Sequence, residues 1–165
     1  MRLHSRTLSL HSLAGSIIAA SVALSTQSAF AQHWDRVRTA APSSINLLLL
    51  LSDGSVMASA NDGADPIGNG WYRFTPDALG SYIDGTWTTL APMNDTRLHF
   101  QAQVLRDGRV FVSGGDLGTG ASTAEIYDPT TNTWTTLNIP SNLWTPGVDR
   151  FADCNSKLLP DGSVL

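Results

Sequence analysis

The chain has 165 residues, 42% of them apolar, with ten basic and fourteen acidic side chains and a single lysine. That balance offers no basic stripe for a phosphate backbone, which argues against nucleic acid, and no basic amphipathic segment for a membrane surface. The lone cysteine, Cys154, excludes a disulfide framework and reads as a buried structural thiol near Phe151 and Leu158.

In chain order, residues 1–31 come first. Arg2 and Arg6 precede a mainly apolar run, Leu8 to Leu24, and "SAFAQ" places Ala29 and Ala31 at the small positions of a signal-peptidase site. Basic start, short apolar core and small-residue exit read as a secretory signal rather than a membrane span, since His11, Ser16 and Ser21 interrupt the core. The expected products are cleavage after Ala31, a mature chain from Gln32 with net charge −6 (eight basic, fourteen acidic), and a secreted or periplasmic location.

The mature chain, 32–165, repeats itself. "LSDGSVMASA" begins at Leu51, "LRDGRVFVSG" at Leu105 and "LPDGSVL" at Leu159, so Asp53-Gly54, Asp107-Gly108 and Asp161-Gly162 recur at 54-residue spacing. "FTP" at Phe74 answers "YDP" at Tyr127 to Pro129, "WTTL" follows at both Trp87 and Trp134, and "HWDRVRTAAP" around Trp34 is a weaker copy of the Trp segment. The first unit carries six extra residues between its Pro and its Trp. Order, more than strict period, is the signal.

A repeat near fifty residues made of short strands is the mark of a propeller blade. "INLLLLL" and "FQAQVL" are apolar runs of strand length, and the first reads as buried on both faces. Each Asp-Gly predicts a two-residue type I′ hairpin. Gly114-Gly115 ends a strand where a neighbouring backbone leaves no room for a side chain. Pro129 terminates the next strand, and Trp134 fills the gap between blades. Strands are expected near 45–51, 55–60, 70–74, 87–90, 99–105, 109–113, 123–127, 133–137 and 154–159, with no long helix after residue 40. Trp87 and Trp134 are expected at equivalent, largely buried places on the outer strands.

DG, then "FVSGG", then "YDP", then Trp resembles the Kelch repeat, and "RLHFQAQVLRDGRVFVSGG" is similar to the propeller of the galactose oxidase and glyoxal oxidase superfamily. The resemblance spans about 34–165, strongest over 99–137. It implies an all-β, Kelch-type propeller, present as an incomplete arc: units near 45–90 and 99–137 and the start of a third at 151–165. At about 54 residues per blade a six- or seven-bladed ring needs roughly 320 to 380 residues. The chain is therefore expected to be a piece cut within a blade, able to self-associate through its uncovered face.

The resemblance also implies a copper radical chemistry that these residues match poorly. The family's cross-linked tyrosine falls on His99, after Arg97 and Leu98, and no cysteine lies near Ile45, where its thiol partner belongs. His99 is the one weak metal candidate. No cofactor is expected for this chain, with copper only under the oxidase reading. The expected role is a non-catalytic binding scaffold for a glycan or protein; the alternative is the N-terminal piece of a galactose oxidase-like enzyme.

Three other motifs count for less. "NDGADP" (Asn61, Asp62, Asp65) is oxygen-rich but lacks calcium-loop spacing and a closing Glu. "GGDLGTG" at 114–120 has no Lys and opens no helix. "NDT" at Asn94 is a glycosylation sequon if the chain enters a eukaryotic secretory pathway.

Overall fold

The computed structural model describes residues 34–61, 65–140, 142 and 155–165. The signal segment, Asp62 and Cys154 lie outside them. The chain divides into two compact units, Met1–Trp34 and Asp35–Leu165; of the first, only Trp34 is described. Among the described residues there is no helix, and none therefore long and apolar enough to cross a membrane.

The second unit holds two antiparallel four-stranded sheets. In the first, β1 (Ile45–Leu50), β2 (Val56–Ala60), β3 (Trp71–Thr75) and β4 (Thr86–Leu90) pair in chain order. In the second, β6 (Gln101–Val104), β7 (Val110–Ser113), β9 (Thr123–Asp128) and β10 (Thr133–Asn138) do the same. Two-residue strands β5 (Arg97–Leu98) and β8 (Leu117–Gly118) form a small sheet of their own. The innermost strands β1 and β6 lie against each other, so the sheets stand as neighbouring blades of a Kelch-type propeller that is not closed. The expected strand at 99–105 starts later, at Gln101. Of the strand expected at 154–159, residues 155–159 are described, and among them Leu158 bridges to Val164.

Strand register makes the repeat physical. Phe74 pairs with Trp87 and Tyr127 with Trp134, so the "FTP" and "YDP" aromatics occupy the same blade position. Alternation then sends Met57 and Trp71 from one blade, and Val110, Val112 and Tyr127 from the other, into a shared seam where each is at most 1% exposed. Full burial of such side chains contributes about 1.5–3 kcal/mol each. The Trp134 ring lies 5.6 Å from Trp71 and 5.1 Å from Tyr127, bridging the blades.

Two expectations are corrected here. First, β1 is buried on one side only. Leu47 and Leu49 pack on the seam, while Leu48 and Leu50 are 61% and 65% exposed, because no further sheet among the described residues covers that face. Second, the Asp-Gly turns are not type I′. Gly54 N donates to Leu51 O (3.0 Å) and Leu51 N to Ser55 O (2.8 Å), with only the glycine at positive φ (82°). This is a type I turn followed by a left-handed bulge residue, the three-residue hairpin loop. Gly108 (φ 86°) and Gly162 (φ 91°) repeat it. The aspartate earns its place through its side chain: Asp53 Oδ1 accepts Ser55 N at 2.9 Å, Asp107 Oδ1 accepts Arg109 N at 3.1 Å, and Asp161 Oδ1 accepts Ser163 N at 2.9 Å.

Trp87 and Trp134 sit in equivalent register but are half-buried, not buried. Each indole holds the segment that leads into its own sheet. Trp134 Nε1 donates to Ala91 O (2.8 Å), and Trp87 Nε1 to Thr39 O (3.3 Å).

Candidate functional site

One rim of the blades carries the Asp-Gly turns. The opposite rim carries the loops after β2 and β7, and there the second blade builds its most elaborate structure. Beyond Ser113 the chain turns through Gly114 and Gly115, both at positive φ. A Cβ on Gly115 would stand 2.9 Å from Leu98 O, so the close backbone approach is real and admits no side chain. The loop then pairs through β8 with β5, before Thr123 starts β9.

Arg97 holds this loop from inside. Its guanidinium, 1% exposed as a residue, donates through Nη1 to Gly114 O (2.8 Å), Gly120 O (2.6 Å) and Thr123 O (3.0 Å). Its Nη2 donates to Thr123 Oγ1 (2.8 Å) and to Glu125 Oε1 (3.1 Å). Glu125 is fully buried in the second blade and also accepts from Asn94 N (2.7 Å), Asn94 Nδ2 (2.9 Å) and Asp95 N (3.1 Å). The two charges are thus paired and Glu125 accepts four N–H donors, while Arg97 Nε is buried without a hydrogen-bond partner among the described residues. Asp95 adds its Oδ2 to Thr123 Oγ1 (2.6 Å) and its Oδ1 to Thr119 Oγ1 (2.8 Å). Burial works against its charge, but the Thr123 and Thr119 hydroxyls and the Arg97 guanidinium outweigh that and hold its carboxyl below the usual range.

His99 leaves this scaffold toward solvent. It is not a strand residue: it occupies a left-handed bend (φ 54°) between β5 and β6, a conformation uncommon outside glycine and enriched in His, Asn and Asp. Its Nδ1 lies 3.1 Å from Asp116 Oδ1, with the two side chains 55% and 30% exposed. The structure brings His99 together with Gly114 and Gly115. Asp53, Asp107 and Asp161, with their glycines, lie on the far rim. Tyr127 is buried in the seam, its hydroxyl donating to Asn132 Oδ1 (2.9 Å) and its pKa pushed up by burial; Pro129 turns the chain toward Trp134.

Among the described residues, the groups around His99 do not make up a copper centre. One imidazole shares Nδ1 with a carboxylate, and among the described residues no group of three or more His, Cys, Asp or Glu side chains is placed to hold a metal ion.

The Arg97–Glu125–Asn94 network was the part that sequence reasoning missed. Its signal was a lone glutamate inside the apolar strand "AEIYDP", on the face that turns to the seam.

A family model for the Kelch motif matches residues 104–141, from the end of β6 to just past β10. The chain carries a Kelch repeat. It is also similar to Kelch-like protein 26 of Danio rerio, 33% identical over 78 residues, which are 46% of this chain and 12% of that protein. Among solved structures, a fungal alcohol oxidase of the AA5 family in complex with copper is 28% identical, with 53% of this chain and 17% of that one covered, at a TM-score of 0.42. YjhT is 26% identical over 52% of this chain and 25% of its own, at a TM-score of 0.40. The chain thus spans a quarter or less of each of these proteins.

Proposed function

We propose that this chain contributes blades to an exported Kelch-repeat propeller, secreted or periplasmic, that binds a protein or glycan partner on the rim bearing His99 and Asp116 and does not oxidise a substrate. The observation that carries the reading is the pairing of a rigid frame with an open tip. Arg97 and Glu125 fix the 114–123 loop from within, while His99, Asp116 and Leu117 face solvent on it. Binding groups on loops held by a rigid scaffold are the common arrangement for recognition. The oxidase reading needs a redox donor set that the described residues at and around His99 do not supply.

The test is a glycan array together with cross-linking to co-secreted proteins, using the purified full chain. Binding that falls with His99→Ala, Asp116→Ala or Leu117→Asp, and stays with Asp161→Ala on the opposite rim, is the expected result; binding indifferent to all four overturns the site. In parallel, protein given copper with alcohols or aldehydes is expected to release no hydrogen peroxide. Copper-dependent peroxide lost in His99→Ala would replace the binding reading with the oxidase one. Export is checked by N-terminal sequencing of the protein recovered outside the cytoplasm: a start at Gln32 is expected, and a start at Met1 sinks it.

A further inference from the structure

Four Asp-Gly pairs fall among the described residues: 53–54, 84–85, 107–108 and 161–162. Such pairs are prone to self-damage, because glycine leaves its preceding amide nitrogen unshielded against attack on the aspartate side chain. The fold treats the four differently. In the three hairpins the glycine N–H is committed to a carbonyl, at 3.0, 3.0 and 2.9 Å for Gly54, Gly108 and Gly162. The aspartate carboxylate is committed as well, to the N–H two residues on and to a neighbouring side chain: Ser55 Oγ (2.7 Å), Arg109 Nε (2.8 Å) and Ser163 Oγ (2.7 Å). These bonds hold all three carboxyls below their usual pKa range; for Asp53 they do so against burial. An ionised, immobilised carboxylate is a poor electrophile.

Asp84–Gly85 lacks that lock. The Asp84 carboxylate, 46% exposed, is held by Arg38 Nη1 at 2.6 Å, from a side chain itself 73% exposed. An ion pair so open to water is weak. The Gly85 N–H reaches Tyr82 O only at 3.3 Å.

We propose that Asp84–Gly85 is a spontaneous isomerisation site of the folded protein, and that the three hairpin pairs are protected from the same reaction. Gly85 N attacks Cγ of the protonated Asp84 carboxyl, and its hydroxyl leaves with the amide proton as water, closing a succinimide. Water then reopens the ring, and attack at the α-carbonyl leaves the chain running through the aspartate side chain. No oxidant or reductant takes part.

The consequence is local and structural. Segment 36–41 is tied to this loop by Arg38 to Asp84, by Arg38 N to Ile83 O (2.9 Å) and by Thr39 Oγ1 to Gly85 O (2.8 Å). Gly85 itself is buried against the Phe74 ring. An added backbone methylene here moves the carboxylate and the Gly85 carbonyl together. It thereby loosens the segment from a groove of about 500 Å³ that includes Leu48, Val56, Phe74 and Trp87.

The experiment is ageing of the full chain at neutral pH in ¹⁸O water, native and in urea, with label located by proteolysis and fragment-ion mass spectrometry. Native protein is expected to take up label at Asp84, with Asp53, Asp107 and Asp161 at the level of an unaged control. Urea-unfolded chain is expected to label all four. Arg38→Ala should quicken labelling at Asp84, and Asp84→Glu should abolish it. Native label at the hairpin aspartates equal to that at Asp84, no label at Asp84, or indifference to Arg38→Ala would each overturn the proposal.

Discussion

The second blade ties its upper loop with a buried guanidinium; the described residues of the first hold no such device. Counting back from the shared turn, Ser43 stands where Arg97 does, and by strand register Tyr72 stands where Glu125 does. Where the second blade has Gly114-Gly115, the first has Ala60, which ends β2, and Asn61, whose Oδ1 is buried without a hydrogen-bond partner among the described residues. Both blades keep the same hairpin and the same Trp-on-aromatic pair. What a blade needs to be a sheet is therefore separate from what it needs to hold a shaped rim, and only the second blade has both.

The largest test removes the tie. Arg97→Ala leaves Glu125 buried and uncompensated, and should cost about 3–5 kcal/mol. The double variant Arg97→Met/Glu125→Leu should recover much of that loss, because no charge is then stranded. Urea unfolding followed by tryptophan fluorescence measures both. Equal destabilisation by the single and double variants would show that the guanidinium serves the three loop carbonyls more than the carboxylate.

Next come the tryptophans, where the blades diverge in surroundings and not in register. Trp134 lies between Trp71 and Tyr127, whereas Trp87 touches Phe74 (4.6 Å) on a face that no other sheet among the described residues covers. Trp134→Ala should cost about 3 kcal/mol, the lower end for a large aromatic truncation, since the indole is half-buried. Trp87→Ala should cost clearly less in the same assay. Equal costs would mean that the outer face of the first blade is covered in solution.

The shared features were the legible ones. Alternation, turn residues and the order DG, FTP or YDP, Trp gave strands, blade boundaries and the Phe74–Tyr127 equivalence. These depend on local chemistry that repeats. The turn type was misread, because Asp-Gly serves two hairpin families that differ in loop length and in whether the aspartate too takes positive φ. The Arg97 network was illegible for a different reason. Its members lie up to 31 residues apart, joined by a loop whose path no periodicity describes. His99 was placed on a strand for the same cause: the bend at φ 54° exists to let β5 pair with β8 before β6 begins.

Gly115 sharpens the contrast at smaller scale. With φ at +117° and Leu98 O at 2.9 Å from where a Cβ would stand, Gly115→Ala should cost about 1–3 kcal/mol through strain. Its counterpart in the first blade is Asn61, so Asn61→Gly should change stability little. Thermal unfolding of the two variants checks this, and a tolerated Gly115→Ala would mean that β5 and the loop move apart freely.

The smallest expected effect is the most specific to the second blade, because it reads the rim by pH. Asp95 is held below the usual aspartate range, roughly 3.9, since the hydroxyls of Thr123 and Thr119 and the Arg97 guanidinium favour its charge more than burial opposes it. A carboxyl whose folded pKa is depressed binds fewer protons folded than unfolded. Its stabilisation is therefore complete above the unfolded value and is lost as pH falls through the folded one. Asp95→Asn should thus lower stability at neutral pH and flatten the acid limb below about 4, where the native protein loses this contribution. The charged groups facing Asp95 are Arg97 and, through its own amide, Glu125. Hydrogen exchange at Thr119 and Gly120, whose amides donate to Thr96 O (3.0 and 3.2 Å), should speed up over the same pH range in the native chain. Exchange at Gly54, in the first blade's hairpin, provides the contrast: Asp53 titrates there against Ser55 and Arg73, so Asp95→Asn should leave its acid profile unchanged. Parallel profiles at both rims in both proteins would show that acid opens the two blades as one unit, and that the second blade's tie is no separate device.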